Sequence, residues 1–305
     1  MNLKHRLIIM NFLQFFIWGS WLLTIGAYWF QTKKWSGTDF GAIFSTMGIA
    51  SLFMPAIAGI IADKWINAEK LYGIFHFAGG MLLLILPGIN DPRLFFWVML
   101  LTMMFYMPTI GLSITIAYTA LKMNQYNIVK SYPPIRVWGT VGFIVALWVV
   151  SLSGFETNSG QFYIAAGSSF LLGVYAFTLP HCPPMGKGHR PNLASALGLD
   201  AFALFKSRKM ASFFIFAMLL GASLQLTNAY GDTFLHDFAK IPEFADLVAV
   251  KYPAIIMSIS QISETLFILT IPFFLRKYGI KNVMLMSMIA WVLRFGLFAY
   301  GDPAG

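Results

Sequence analysis

With 305 residues, 58% of them hydrophobic, 17% aromatic and only 11% charged, and a mean hydropathy of +0.70, the chain lies far from the composition of soluble domains, in which charged side chains make up about a quarter. This is the balance of a polytopic membrane protein. The formal charge of +9 would suit either nucleic acid or the loops of a membrane protein, and the single cysteine, Cys182, excludes an internal disulfide and a thiolate metal cluster.

Met1 to Arg6 is short and basic, and the apolar run Leu7–Phe30 follows. A signal peptide would have a shorter apolar core and a small-residue cleavage site, so an uncleaved first helix is predicted. The remaining predicted spans are Phe40–Ala62, Leu71–Ile89, Leu94–Leu121, Ile135–Phe155, Gln161–Pro180, Met210–Gly231, Tyr252–Leu275 and Val283–Tyr300, nine in all; about 20 helical residues suffice to cross a hydrocarbon core. With the N-terminus in the cytoplasm, the inner loops collect fourteen Lys and Arg and the outer loops five. That positive-inside bias accounts for the basic charge without a nucleic-acid partner.

Between the sixth and seventh spans, residues 181–209 hold six Pro or Gly and seven Lys, Arg or His, the composition of a cytoplasmic linker. The expected organisation is a six-helix bundle over residues 1–180, the linker 181–209, and a partial second bundle of three helices over 210–305. A faint internal echo accompanies it: Gly19, Leu22, Ala27 and Tyr28 recur at the same spacing as Gly221, Leu224, Ala229 and Tyr230. Six plus six helices around a central cytoplasmic loop is a known transporter plan.

Polar residues inside the spans are few, and each has a structural alternative. On the first span, Gln14, Trp18, Trp21 and Tyr28 share an arc, as Tyr106, Thr109 and Ser113 do on the fourth; they predict either packing or a platform for a planar ligand. Arg136, Thr140 and Phe143 follow i, i+4, i+7 on the fifth, after Pro133 and Pro134, which fit a helix start or kink. Snorkelling of Arg136 to headgroups is the alternative there. Gln225, Asn228 and Asp232 share a face of the seventh span, for binding or for interhelical hydrogen bonds.

The eighth span, Tyr252–Leu275, has one charge, Glu264, twelve residues from each of Tyr252 and Arg276 and therefore near mid-membrane. A carboxylate costs about 2.5 to 3.5 kcal/mol there on insertion scales, so it faces a partner or a wet cavity. Ser260, Gln261, Glu264 and Thr265 fall on one arc at about 100° per residue. A structural ion pair with Arg294 or Arg136 is the alternative. Taken together these amides, the guanidinium, the carboxylate and the rings suit a neutral, flat, hydroxyl-rich solute. The sequence offers no nucleophile elbow, zinc motif, phosphate loop or paired catalytic acids, and His5, His76, His181, His189 and His236 have no ligand spacing. Enzymatic activity, cofactors and metals are not expected, and nothing repeats as a channel filter would.

At the end of the second span, Gly59-Ile-Ile-Ala-Asp63-Lys64 resembles the Gly-x-x-x-Asp-Arg/Lys signature of the major facilitator superfamily, with Ile66-Asn67-Ala68-Glu69-Lys70 in place of its second glycine and paired basic residues. Along the whole chain, Phe12–Leu22 (FLQFFIWGSWL), Tyr132–Phe143 (YPPIRVWGTVGF), Val149–Glu156, Leu197–Lys206, Ile255–Leu275 and Arg294–Pro303 are similar to the enterobacterial nucleoside:proton symporters. The resemblance implies an all-α major facilitator fold that moves nucleosides with protons across the bacterial inner membrane. It implies that Arg136, Thr140 and Phe143 line the nucleoside cavity, that Gln225 and Asn228 bind the nucleoside, and that Gln261 and Glu264 are polar binding residues. The proton is the coupling ion, no cofactor is implied, membrane lipids surround the protein, and a monomer is expected. A sugar or polyol symporter on the same fold and a non-transporting receptor are the alternatives. Family members continue into helices ten to twelve, the tenth with a further acid, so a truncated form is expected at Gly305.

Overall fold

The computed structural model describes residues 2–184 and 199–301; residues 185–198 of the expected linker lie outside them. Eight long helices dominate: α1 (Leu3–Gly19), α2 (Gly37–Lys64), α3 (Ala68–Ile85), α4 (Pro92–Met123), α5 (Ile128–Leu152), α6 (Gly160–Ala176), α7 (Arg208–Asp237) and α8 (Pro253–Tyr300). Among the described residues no strand occurs, and six helices are long and apolar enough to cross a membrane by length and composition. The chain forms two units, Met1–Ala203 and Leu204–Gly305.

Local chemistry starts several helices. Ser36 accepts from the Asp39 amide (3.2 Å) at the head of α2. Asp91 accepts from Arg93 and Leu94 (3.2 and 3.3 Å) at α4, with Pro92 in the first turn, and Asn127 accepts from Lys130 (3.2 Å) at α5. Each side chain satisfies amides that the first helical turn leaves without a partner. Because Asn127 starts α5, the helix begins seven residues before the predicted Ile135, and Pro133 and Pro134 sit inside it. The predicted first span is interrupted: α1 ends at Gly19, turns through Ser20–Thr24, and resumes as a helical turn Ile25–Ala27 and a π-turn Tyr28–Lys33. Ser20 donates its hydroxyl to Phe16 O (2.8 Å), a competing local bond of the kind that ends or bends helices.

In the first unit α1 packs on α5 and α6, α2 on α4, and α3 on α4 and α6. Where α1 meets α5 the backbones all but touch: a Cβ on Gly142 would stand 2.2 Å from Phe12 O, and one on Gly19 would stand 2.6 Å from Phe143 O. Close approach through glycine is how helices associate in lipid, where oil offers no hydrophobic drive. The residues after α6 fold back onto the start of α3. Ala68 N donates to Cys182 O (3.1 Å), Cys182 N to Glu69 Oε2 (3.0 Å), and His181 Nδ1 lies 3.1 Å from Glu69 Oε1. Burial, then the Glu69 charge, pushes the Cys182 thiol up to about 12.

The second unit comprises α7, α8 and short connecting turns. The α8 backbone leaves helical geometry at Gly279 (φ 72°, ψ 163°), a left-handed conformation that glycine adopts without steric cost. Were α8 straight, Ser263 and Trp291 would stand about 42 Å apart at 1.5 Å per residue; instead both line one groove. The two halves therefore fold back on one another, matching the eighth and ninth predicted spans, while Leu266 and Leu293 remain exposed.

Candidate functional site

In the first unit, the α1–α5 seam fixes the predicted triad. Arg136 sits eight residues into α5, about 12 Å from its start, and its guanidinium carbon stacks 4.0 Å from the centre of the Phe15 ring. A cation over an aromatic face is held by the ring quadrupole, so the side chain lies along the bundle interior, half-buried. Gly139 makes the stacking possible, since a Cβ there would meet Phe15 Cδ2 at 2.6 Å and Arg136 Nη1 at 2.7 Å. Thr140 is half-buried and Phe143 buried on the same helix.

In the second unit, Asn228 donates its side-chain amide to Gln225 Oε1 (3.2 Å) on one face of α7, with Gln225 exposed and Asn228 half-buried. Asp232, on the same face, has His236 Nε2 at 3.8 Å. The two halves of α8 enclose a groove of about 920 Å³ into which Leu224 of α7 also projects. That volume lies within the range of small-molecule sites, about 300 to 1,000 Å³. Gln261 and Glu264 both line it, with Ser260, Ser263, Ser287, Trp291 and Arg294. The mid-span carboxylate, itself exposed, thus borders a solute-sized space whose lining is mostly apolar but includes Gln261, three serines and Arg294.

The structure brings Gln261 together with Glu264, and Gln225 with Asn228, while Arg136, Thr140 and Phe143 share α5 in the other unit. Of the predicted arc on the eighth span, Thr265 is not among the groove residues; its hydroxyl donates to Gln261 O (3.0 Å) within the helix. Of the two readings of the aromatic arcs, the structure favours packing. Gln14, Trp21, Tyr28, Tyr106, Thr109 and Ser113 are all buried in the packed core, and Trp18 is half-buried against Phe15 and Tyr106 (ring centres 6.2 and 5.9 Å). Sequence reasoning missed Ser287 and Trp291, although with Arg294 they keep the i, i+4, i+7 spacing that singled out α5.

Apolar helices around a groove that exposes an acid, an amide and a guanidinium halfway along two of them define a multi-pass membrane transporter rather than an enzyme. All 305 residues match the family model described as nucleoside H+ symporter, and the chain belongs to that family. Xanthosine permease of Escherichia coli (strain K12) is 55% identical over 304 residues, spanning 100% of this chain and 73% of that protein. Nucleoside permease NupG of the same strain is 55% identical over 303 residues, 99% of this chain and 72% of that protein. A crystal structure of the nucleoside transporter NupG matches with a TM-score of 0.90 at 55% identity, covering 99% of this chain and 75% of that one.

Proposed function

We propose that this protein imports nucleosides across the bacterial cytoplasmic membrane by proton symport, with the N-terminus inside and access alternating as residues 1–180 rock against the second bundle. The observation that supports the reading is the groove of about 920 Å³ shared by Gln261, Glu264 and Arg294. A nucleoside offers neutral hydroxyls and base edges with both donors and acceptors. Amides are the side chains that answer both at once, and Gln225, Asn228 and Gln261 take that role. Glu264 accepts from ribose hydroxyls, Arg136 supplies charge-assisted donors, Thr140 adds a hydroxyl and Phe143 packs on the solute. The proton is the coupling ion and no cofactor takes part; the protein works as a monomer among lipids.

The test is uptake of labelled uridine into proteoliposomes under an inward proton gradient. Accumulation abolished by an uncoupler is expected. Uptake indifferent to the gradient makes the protein a facilitator, and uptake of sugar that excess adenosine or uridine fails to inhibit moves the substrate class to polyols.

A further inference from the structure

The residue that ties the first unit together is Gln14, fully buried on α1. Its amide nitrogen donates to Thr109 Oγ1 (2.8 Å), its amide oxygen accepts from Tyr72 OH (2.6 Å), and His76 Nε2 lies 3.0 Å from the same oxygen. Counting protons fixes the orientation. Thr109 spends its hydroxyl proton on Tyr106 O (2.6 Å), so toward Gln14 it can only accept. The Gln14 oxygen therefore faces Tyr72 and His76, and His76 must have a proton on Nε2 to bond it. Ser169 packs beside the ring: its hydroxyl donates to His76 O (2.8 Å), leaving no proton for Nδ1 at 3.3 Å. Tyr106 OH adds a bond to the backbone oxygen of Gln14 (2.6 Å).

One residue further along α1 is Phe15, the ring on which the Arg136 guanidinium rests at 4.0 Å. Consecutive helical residues point about 100° apart, so Gln14 faces α3 and α4 while Phe15 faces α5. Whatever holds Gln14 sets the rotation of α1 and so the place of the Phe15 ring. A rotation of about 10° shifts a ring roughly 6 Å from the helix axis by about 1 Å, and displacements of that size cost binding geometry dearly.

We infer that His76 is a positioning residue for the nucleoside site: its Nε2–H locks Gln14, and through it the turn of α1 that seats Phe15 beneath Arg136. The inference rests on the proposed role of Arg136. In binding of labelled uridine to the purified protein, His76→Leu raises the half-saturating concentration by up to about tenfold, the loss expected when one hydrogen bond to a buried acceptor disappears. His76→Gln, which returns an amide N–H at similar reach, restores it to within about twofold. Tyr72→Phe, which removes only the hydroxyl on the same oxygen, weakens binding in the same direction and serves where His76→Leu does not fold. In the Arg136→Lys background, where no planar guanidinium remains to be seated, His76→Leu or Tyr72→Phe changes binding by less than about twofold, as coupled residues should. Equal losses in both backgrounds, or failure of His76→Gln to restore binding, overturn the inference. Arg136→Lys binding uridine as the parent does overturns the proposed site itself, a distinguishable result.

Discussion

Substituting Gly142 by alanine is the sharpest test of the seam that carries Arg136, Thr140 and Phe143. The new Cβ would lie 2.2 Å from Phe12 O, 2.9 Å from its carbonyl carbon and 3.0 Å from its Cα. Carbon-to-oxygen contacts rarely close below about 3.3 Å, so α1 and α5 must part by roughly 1 Å, and because the obstacle is backbone no rotamer change relieves it. Overpacking of this kind costs about 1 to 3 kcal/mol, while a shift of about 1 Å in positioning groups can lower turnover by about a hundredfold. Expected in Gly142→Ala are a melting temperature several degrees lower in detergent and uridine uptake in proteoliposomes reduced by at least about tenfold. Gly111→Ala in α4 is the matched control, since a Cβ there meets nothing within 4 Å, and helix propensity alone favours it by about 1 kcal/mol. Uptake and melting at parental values in Gly142→Ala would refute the contact reasoning.

Three further outcomes are expected. Glu264→Gln keeps the size of the side chain but removes the acceptor pair and the charge lining the groove; uridine uptake falls by about tenfold or more, and an unchanged rate assigns Glu264 to structure. Cys182, buried and with its thiol pushed up to about 12, holds almost no thiolate near pH 8. Its alkylation by N-ethylmaleimide, followed by mass spectrometry, is then at least about a hundredfold slower in the folded than in the unfolded protein, rises as pH climbs toward that value, and is faster in Glu69→Gln, which removes the second cause of the shift. Labelling at the unfolded rate counts against the fold-back onto α3. Ser36→Ala deletes the hydroxyl that accepts from the Asp39 amide and lowers stability by about 1 kcal/mol in thermal unfolding, with Ser36→Asn largely neutral.

The helices were legible because crossing oil demands long apolar runs, and that demand leaves a mark in composition that no packing detail erases. Their ends were less so. The start of α5 at Asn127 was hidden because a cap and a basic first turn look like loop to a hydropathy count, and the break after Gly19 because the Ser20 hydroxyl bond to Phe16 O that accompanies it sits inside an unbroken apolar run. Glu264 stood out since an isolated acid in a span has few innocent explanations. His76 did not: its partners Gln14 and Ser169 lie 62 and 93 residues away, and only folding brings such residues onto one oxygen and one hydroxyl. The aromatic arcs stayed ambiguous for a related reason, because a ring bound for the core and a ring bound for a ligand follow the same helical period.

The left-handed Gly279 also bears on how the chain enters the membrane. Two helices joined by so tight a corner can leave the translocon as one hairpin, with Glu264 and Arg294 on the facing sides of one groove. Neither half then enters the bilayer without the other's polar groups beside its own. Lengthening the corner would uncouple the two insertions and separate, during synthesis, the acid and the arginine that the finished groove holds together.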